Sequence, residues 1–232
     1  MALIDDLNAE VGKILAERWT AREGRKVPEP EEVTLGNDAV QFTGTVLYAD
    51  LAESTDLVTK YKPEFVAKVY KCYLNIACRI IRERAGVITA FDGDRVMAVF
   101  LGDTPNTGAT SVGLALNHAV SKIINPALRK HFQLPESFAI RQAVGIDTSE
   151  LFIARTGVRK ANDLVWVGRA ANYAAKLCAL REGEFATWIT KAVFDKLPDS
   201  MKLNSDGRAF WEARTWTARN ESVYRSNWWK IL

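Results

Sequence analysis

The stretch Ile88-Thr89-Ala90-Phe91-Asp92-Gly93-Asp94-Arg95-Val96-Met97-Ala98-Val99-Phe100 reads as two strands joined at Asp92-Gly93, a dipeptide suited to the left-handed angles of a tight hairpin. A hairpin here rules out an all-parallel sheet, because parallel neighbours need long crossovers. Upstream, Thr45-Val46-Leu47-Tyr48-Ala49-Asp50 closes a strand expected over about Val40 to Ala49. If that strand lies beside the hairpin, Asp50 and Asp94 converge on one spot, next to the N–H groups of Leu51 to Thr55 in a strand-to-helix turn. Two hard-oxygen ligands beside free backbone donors make a site for a divalent metal and a polyphosphate.

Working outward, residues Met1 to Trp19 carry Leu3, Leu7, Val11, Ile14, Leu15 and Trp19 at helical spacing, followed by a polar linker from Arg22 to Asp38. The organisation expected is therefore an N-terminal helix and linker over 1–38 and a compact domain over 39–232. A short helix, Glu53 to Lys60, precedes a long one opened by Lys62-Pro63-Glu64 and stopped at Gly86. After the hairpin come a helix from Thr107 to Ile124, halted near Asn125-Pro126, and strands over Phe138 to Ile146, Leu151 to Ala154 and Asp163 to Val167. Helices over Arg169 to Leu180 and Thr190 to Leu197 precede a tail with four of the seven tryptophans, Trp211, Trp216, Trp228 and Trp229. This order predicts an α+β sandwich with a ferredoxin-like core and a mixed, mainly antiparallel sheet.

Composition narrows the function classes. The 31 basic and 28 acidic residues are interspersed and leave a net charge of only +3, which does not call for nucleic acid. No apolar run is long enough to cross a bilayer, and the start lacks a signal-peptide pattern, so the expectation is a cytoplasmic protein without a membrane partner. Cys72, Cys78 and Cys178 lack metal-ligand spacing, and His118 and His131 alone offer little for histidine catalysis.

Across roughly Thr45 to Leu197 the chain resembles the class III nucleotidyl cyclases. Val46-Leu47-Tyr48-Ala49-Asp50-Leu51-Ala52-Glu53-Ser54-Thr55 is similar to that family's first metal-binding strand and phosphate-facing turn, and Gly93-Asp94-Arg95-Val96-Met97-Ala98-Val99-Phe100 to its second metal motif. Gly168-Arg169-Ala170-Ala171-Asn172-Tyr173-Ala174-Ala175-Lys176-Leu177 is similar to its transition-state helix. Either aspartate alone would read as a turn or cap residue; three motifs in order are far more specific. The resemblance implies two Mg²⁺ or Mn²⁺ ions on Asp50, the Leu51 carbonyl and Asp94. It also implies a nucleoside triphosphate cradled by Ala52, Glu53, Ser54 and Thr55, and Asn172 and Lys176 acting from the partner subunit of a homodimer with shared sites. Lys176 stands where the family has arginine and cannot reproduce its two-pronged contact.

Two further departures bear on the base. Ala90 occupies the position of the family's purine-reading lysine or glutamate, and Val165, followed by Trp166, that of the aspartate or threonine of adenylate cyclases. Apolar side chains cannot read a purine edge. Trp166 would fill the vacated space, stack on a base, or simply pack in the core. The combination is similar to the bacterial Pycsar pyrimidine cyclases, which make cyclic UMP or cyclic CMP as an antiphage signal read by a separate effector. UTP is favoured over CTP. The alternatives are a purine cyclase whose base contacts come from the main chain or from Thr89 and Arg95, and a non-catalytic nucleotide-binding dimer.

Overall fold

A computed structural model describes residues 2–180 and 182–231. In chain order its elements are α1 (Leu3–Ala16), β1 (Thr20–Glu23), β2 (Asp38–Ala52), α2 (Ser54–Lys60), α3 (Pro63–Glu83), β3 (Val87–Asp92), β4 (Arg95–Phe100), α4 (Pro105–Ala119) and α5 (Asn125–Phe132). There follow β5 (Arg141–Val158), β6 (Ala161–Val167), α6 (Arg169–Cys178), β7 (Thr187–Thr190), α7 (Lys191–Asp195), β8 (Glu212–Trp216) and β9 (Glu221–Ser226). They form two units, Gly44–Ser149 with Arg169–Leu232, and Met1–Thr43 with Glu150–Gly168.

In the larger unit the strand order is β3-β4-β2-β5-β7-β9-β8. The β5–β7 pairing is parallel; β3–β4, β2–β4, β7–β9 and β8–β9 are antiparallel, which is the mixed, mainly antiparallel sheet expected of the α+β class. Helix α3 forms because Val66, Val69, Tyr73, Ala77, Ile80 and Ile81 recur at helical spacing and are all buried. Those near its end join Leu47, Ala49, Val96, Ala98, Phe100, Val112, Leu116, Val144, Ile146 and Ile189 in one core between sheet and helices. Alternate residues point to opposite faces of a strand. Thus Ile189 enters that core, while its neighbour Trp188 packs with Leu177, Trp216 and Val223 beside α6.

Helix α6 lies on β5 at van der Waals contact. A Cβ at Gly145 would run into the Ala174 carbonyl oxygen and the Cys178 amide nitrogen. On the same face of β5, the Cys178 thiol donates to the Ala143 carbonyl at 3.2 Å, and the Ser149 hydroxyl accepts from the Ala170 amide at 2.9 Å.

In the smaller unit β1 pairs in parallel with residues 38–41 of β2, and β6 pairs antiparallel with residues 152–158 of β5. Trp19 meets Phe152 edge-on, ring centroids 5.0 Å apart. No residue of α1 is buried; Leu3, Ile4, Leu7, Val11, Ile14 and Leu15 are all exposed.

Several elements differ from expectation. The two strands read at Phe138 to Ile146 and Leu151 to Ala154 are one strand, because the polar Thr148-Ser149-Glu150 interrupts the apolar pattern but not the backbone ladder. The helix does not halt at Asn125-Pro126: a π-turn, Val120–Ile124, leads into α5, where Pro126 sits in the first turn and its missing N–H costs nothing. At the end of α3 the left-handed residue is Ala85 (φ 58°); Gly86 is needed because the Phe100 ring and Ile81 fill the space a Cβ would take. Strand β1, which straddles the start of the linker expected from Arg22, is four exposed residues with no pattern to read.

Overpacking a backbone contact has no flexible side chain to absorb it. Gly145→Ala is expected to cost about 3 kcal/mol and to lower the melting midpoint by roughly 6–12 °C. A thermal melt matching the parent would refute the close α6–β5 approach.

Candidate functional site

Strands β2 and β4 are antiparallel neighbours with Ala49 opposite Val96. Asp50 lies one residue beyond that pair and Asp94 two, on neighbouring strands at one end of the ladder. Asp94 sits in the β3–β4 turn, where Gly93 takes the left-handed angle (φ 60°) the sequence called for. Leu51 is buried against α3 in a cluster with Val69 and Tyr73, which anchors the strand end and turns the Asp50 side chain to the opposite face.

The donor chemistry fits a cation. Oδ2 of Asp94 is buried and has no hydrogen-bond partner, although an ionised carboxylate demands several. An oxygen so placed is free to meet a cation supplied from outside the chain, and Asp50 provides a second hard oxygen on the neighbouring strand. Thr89, the extra residue of a bulge between Ile88 and Ala90, likewise buries a hydroxyl with no partner. Arg95 is already engaged, with Asp92 at 2.7 Å and over the Tyr48 ring at 5.4 Å.

Sequence reasoning missed Tyr70, which stands among the apolar positions of α3 at helical spacing. Burial pushes its phenol above the ordinary value; the Asp94 charge adds to this, a hydrogen bond with Ser54 opposes it, and the Asp50 charge adds a smaller part. One hydroxyl is thus within electrostatic reach of both aspartates and bonded to the turn that follows Asp50. The readable signal was a half-buried tyrosine among aliphatic stripe residues, carrying a polar end that needs a partner.

That turn has an unusual backbone. Glu53, the residue before α2, is left-handed (φ 60°, ψ 30°), a conformation glycine adopts without strain, and its carboxylate pairs with Arg141. Ala52 is partly buried, Ser54 likewise, and Thr55 is exposed.

Asn172 and Lys176 occupy the exposed face of α6, one turn apart, opposite the buried Ala170, Ala171, Ala174, Leu177 and Cys178. Val165 and Trp166 belong to the smaller unit: Val165 is exposed and pairs with Ala154, and Trp166 meets Phe42 edge-on at 6.4 Å. Ala90 lies on β3, opposite Met97. Asp50, Asp94, Ser54 and Tyr70 are gathered at one end of the β2–β4 pair, while Asn172 and Lys176 are presented separately by α6.

The fitted cation gives a measurable expectation. Mn²⁺ should raise the melting midpoint of the parent protein, since binding to the folded state alone stabilises it by about 2.7 kcal/mol at a hundredfold excess over Kd. Asp94→Asn should remove most of that rise, because it takes away one negatively charged oxygen ligand. An undiminished Mn²⁺ shift in the variant would rule Asp94 out as a ligand.

No family model matches the chain. It is 47% identical to a uridylate cyclase of Xanthomonas perforans over the full length of both, and 46% identical to a uridylate cyclase of Burkholderia cepacia over 98% of each. Among solved structures it is similar to the adenylyl cyclase CyaB from P. aeruginosa, with a TM-score of 0.65 over 81% of this chain and 95% of that one, at 20% identity.

Proposed function

The chain belongs to the class III nucleotidyl cyclases, in the family of the bacterial uridylate cyclases, and we propose that it converts UTP to 3′,5′-cyclic UMP and pyrophosphate. The observation that carries this reading is the pair of aspartates on adjacent antiparallel strands, one with a buried oxygen that no protein group satisfies. When bound, two divalent ions supply Lewis-acid activation of the ribose 3′-hydroxyl and neutralise the triphosphate. Asp50, the Leu51 carbonyl and Asp94 would hold them. The backbone amides of the turn from Ala52 to Thr55 would receive phosphate oxygens, a role that asks for N–H direction more than side-chain chemistry and so tolerates alanine and glutamate there.

Asn172 is assigned to orient the ribose, so that its 3′-oxygen stands in line with the α-phosphorus and the bond to pyrophosphate. Lys176 is assigned to meet the negative charge that grows as that bond breaks. Because both stand on α6, apart from the aspartates, a homodimer in which each α6 serves the partner's aspartates is the assembly proposed, with two equivalent sites. Ala90 and Val165 leave the base without the polar partners that select a purine, which favours a pyrimidine. The product is proposed to signal antiphage defence through a separate cyclic-nucleotide-responsive effector, in the cytoplasm. Among the described residues no helix is long and apolar enough to cross a membrane.

Incubation of the purified protein with Mn²⁺ and each of the four ribonucleoside triphosphates in turn, with products identified by mass, tests base and reaction together. Cyclic UMP from UTP is the expected dominant product. Cyclic CMP or a purine product in its place would overturn the base assignment, and nucleotide binding without turnover would overturn the reaction. Asp50→Ala and Asp94→Ala should each lower turnover by roughly 10²–10³-fold or more without changing the mass of the assembly in solution.

A further inference from the structure

An ionic cluster built on a buried carboxylate stands at the start of α6, outside the residues assigned so far. Asp147, midway along β5, has a fully buried side chain. Arg169, the first residue of α6, donates from Nε to its Oδ2 at 3.0 Å and from Nη2 to its Oδ1 at 3.2 Å, and Nη2 also reaches the Thr148 carbonyl at 2.8 Å. The Thr190 hydroxyl, at the end of β7, donates to Oδ1 at 2.5 Å and accepts from the Val193 amide of α7 at 3.4 Å. Burial pushes the Asp147 carboxyl up, while Thr190, the Thr148 amide and Arg169 pull it back. A buried charge is weak evidence for stability, since its desolvation offsets much of the attraction. A directional role is a better account of it.

The packing of α6 explains why direction is needed. Its buried face is mostly alanine, with Ala170, Ala171 and Ala174 beside Leu177 and Cys178, and it rests on a strand whose contact residue is Gly145. Such a seam holds the helix close but offers few side chains to resist rolling about its axis. A guanidinium–carboxylate pair has a fixed plane and two parallel bonds, so it resists that motion. Arg169, Asn172 and Lys176 stand at i, i+3 and i+7, on a single stripe. The roll that Arg169 restrains is therefore the roll that aims Asn172 and Lys176.

We propose that the Asp147–Arg169–Thr190 cluster sets the roll of α6, making Asp147 and Arg169 positioning residues for cyclisation. The inference rests on the roles assigned to Asn172 and Lys176. Arg169→Lys keeps the charge and loses the two-pronged geometry. It is expected to lower kcat about tenfold or more with KM for the nucleotide within about twofold of the parent. Thr190→Ser retains both hydrogen bonds and should rescue the rate that Thr190→Val loses. A parent-like kcat for Arg169→Lys, a loss carried wholly by KM, or equal effects of Thr190→Ser and Thr190→Val would each overturn the proposal.

Amide hydrogen exchange of the same variant, measured without nucleotide, separates this inference from the reaction it rests on. Exchange should quicken over residues 169–178 and stay unchanged over 63–83. Unchanged exchange in α6 would overturn the cluster's role, and exchange quickened equally in both helices would show a general loss of stability and overturn it too. If the parent turned over no triphosphate, the assigned reaction would fail while the exchange result still judged the clamp.

Discussion

The larger unit depends on the absence of a side chain at Gly145. There the backbone of α6 settles onto the backbone of β5, and side-chain contacts between the two are spaced from it at the period of the strand: Ala143 to Cys178, Asp147 to Arg169, Ser149 to Ala170. Displacing the helix by the width of one methyl would break the cap at Ala170 and misalign the Asp147–Arg169 ion pair together. The carboxylate end of the site follows from an equally simple constraint, the register that sets Ala49 opposite Val96. One glycine and one strand register thus place all four of the side chains assigned to the chemistry.

The β2–β4–β3 half of the site was legible because its rules are local. Asp92-Gly93 specifies a turn, alternation specifies the flanking strands, and adjacency does the rest. Longer-range features were hidden for physical reasons. Strand β7 is four buried residues, too short to show a period, and β8 is polar and exposed along most of its length. The continuity of β5 is a property of its ladder, which its side chains contradict at Ser149 and Glu150. Tyr70 reads as one more apolar stripe residue until the position of its hydroxyl is known. Asp147 and Arg169 lie 22 residues apart, and no pattern in the sequence joins them.

The turn after Asp50 shows a trade between geometry and cost. A left-handed glutamate carries a penalty of about 1–2 kcal/mol. Its ion pair with Arg141 joins two exposed groups and returns at most about 1 kcal/mol. Some strain therefore remains at this turn. Strain of this kind persists where the surrounding structure holds the backbone in place, and here the buried Leu51 on one side and α2 on the other do so.

The exposed face of α6 has a consequence for how this family changes over time. The helix is held by its buried face and by Arg169, so the exposed Lys176 can be exchanged at small cost to the fold. A lysine at 176, where the resemblance implies an arginine, is the kind of change such an arrangement permits. Positions 143, 145, 147 and 149 have no comparable latitude, because each meets α6 directly. Selection acting on this helix can explore new chemistry on one side only while the other side keeps the frame constant.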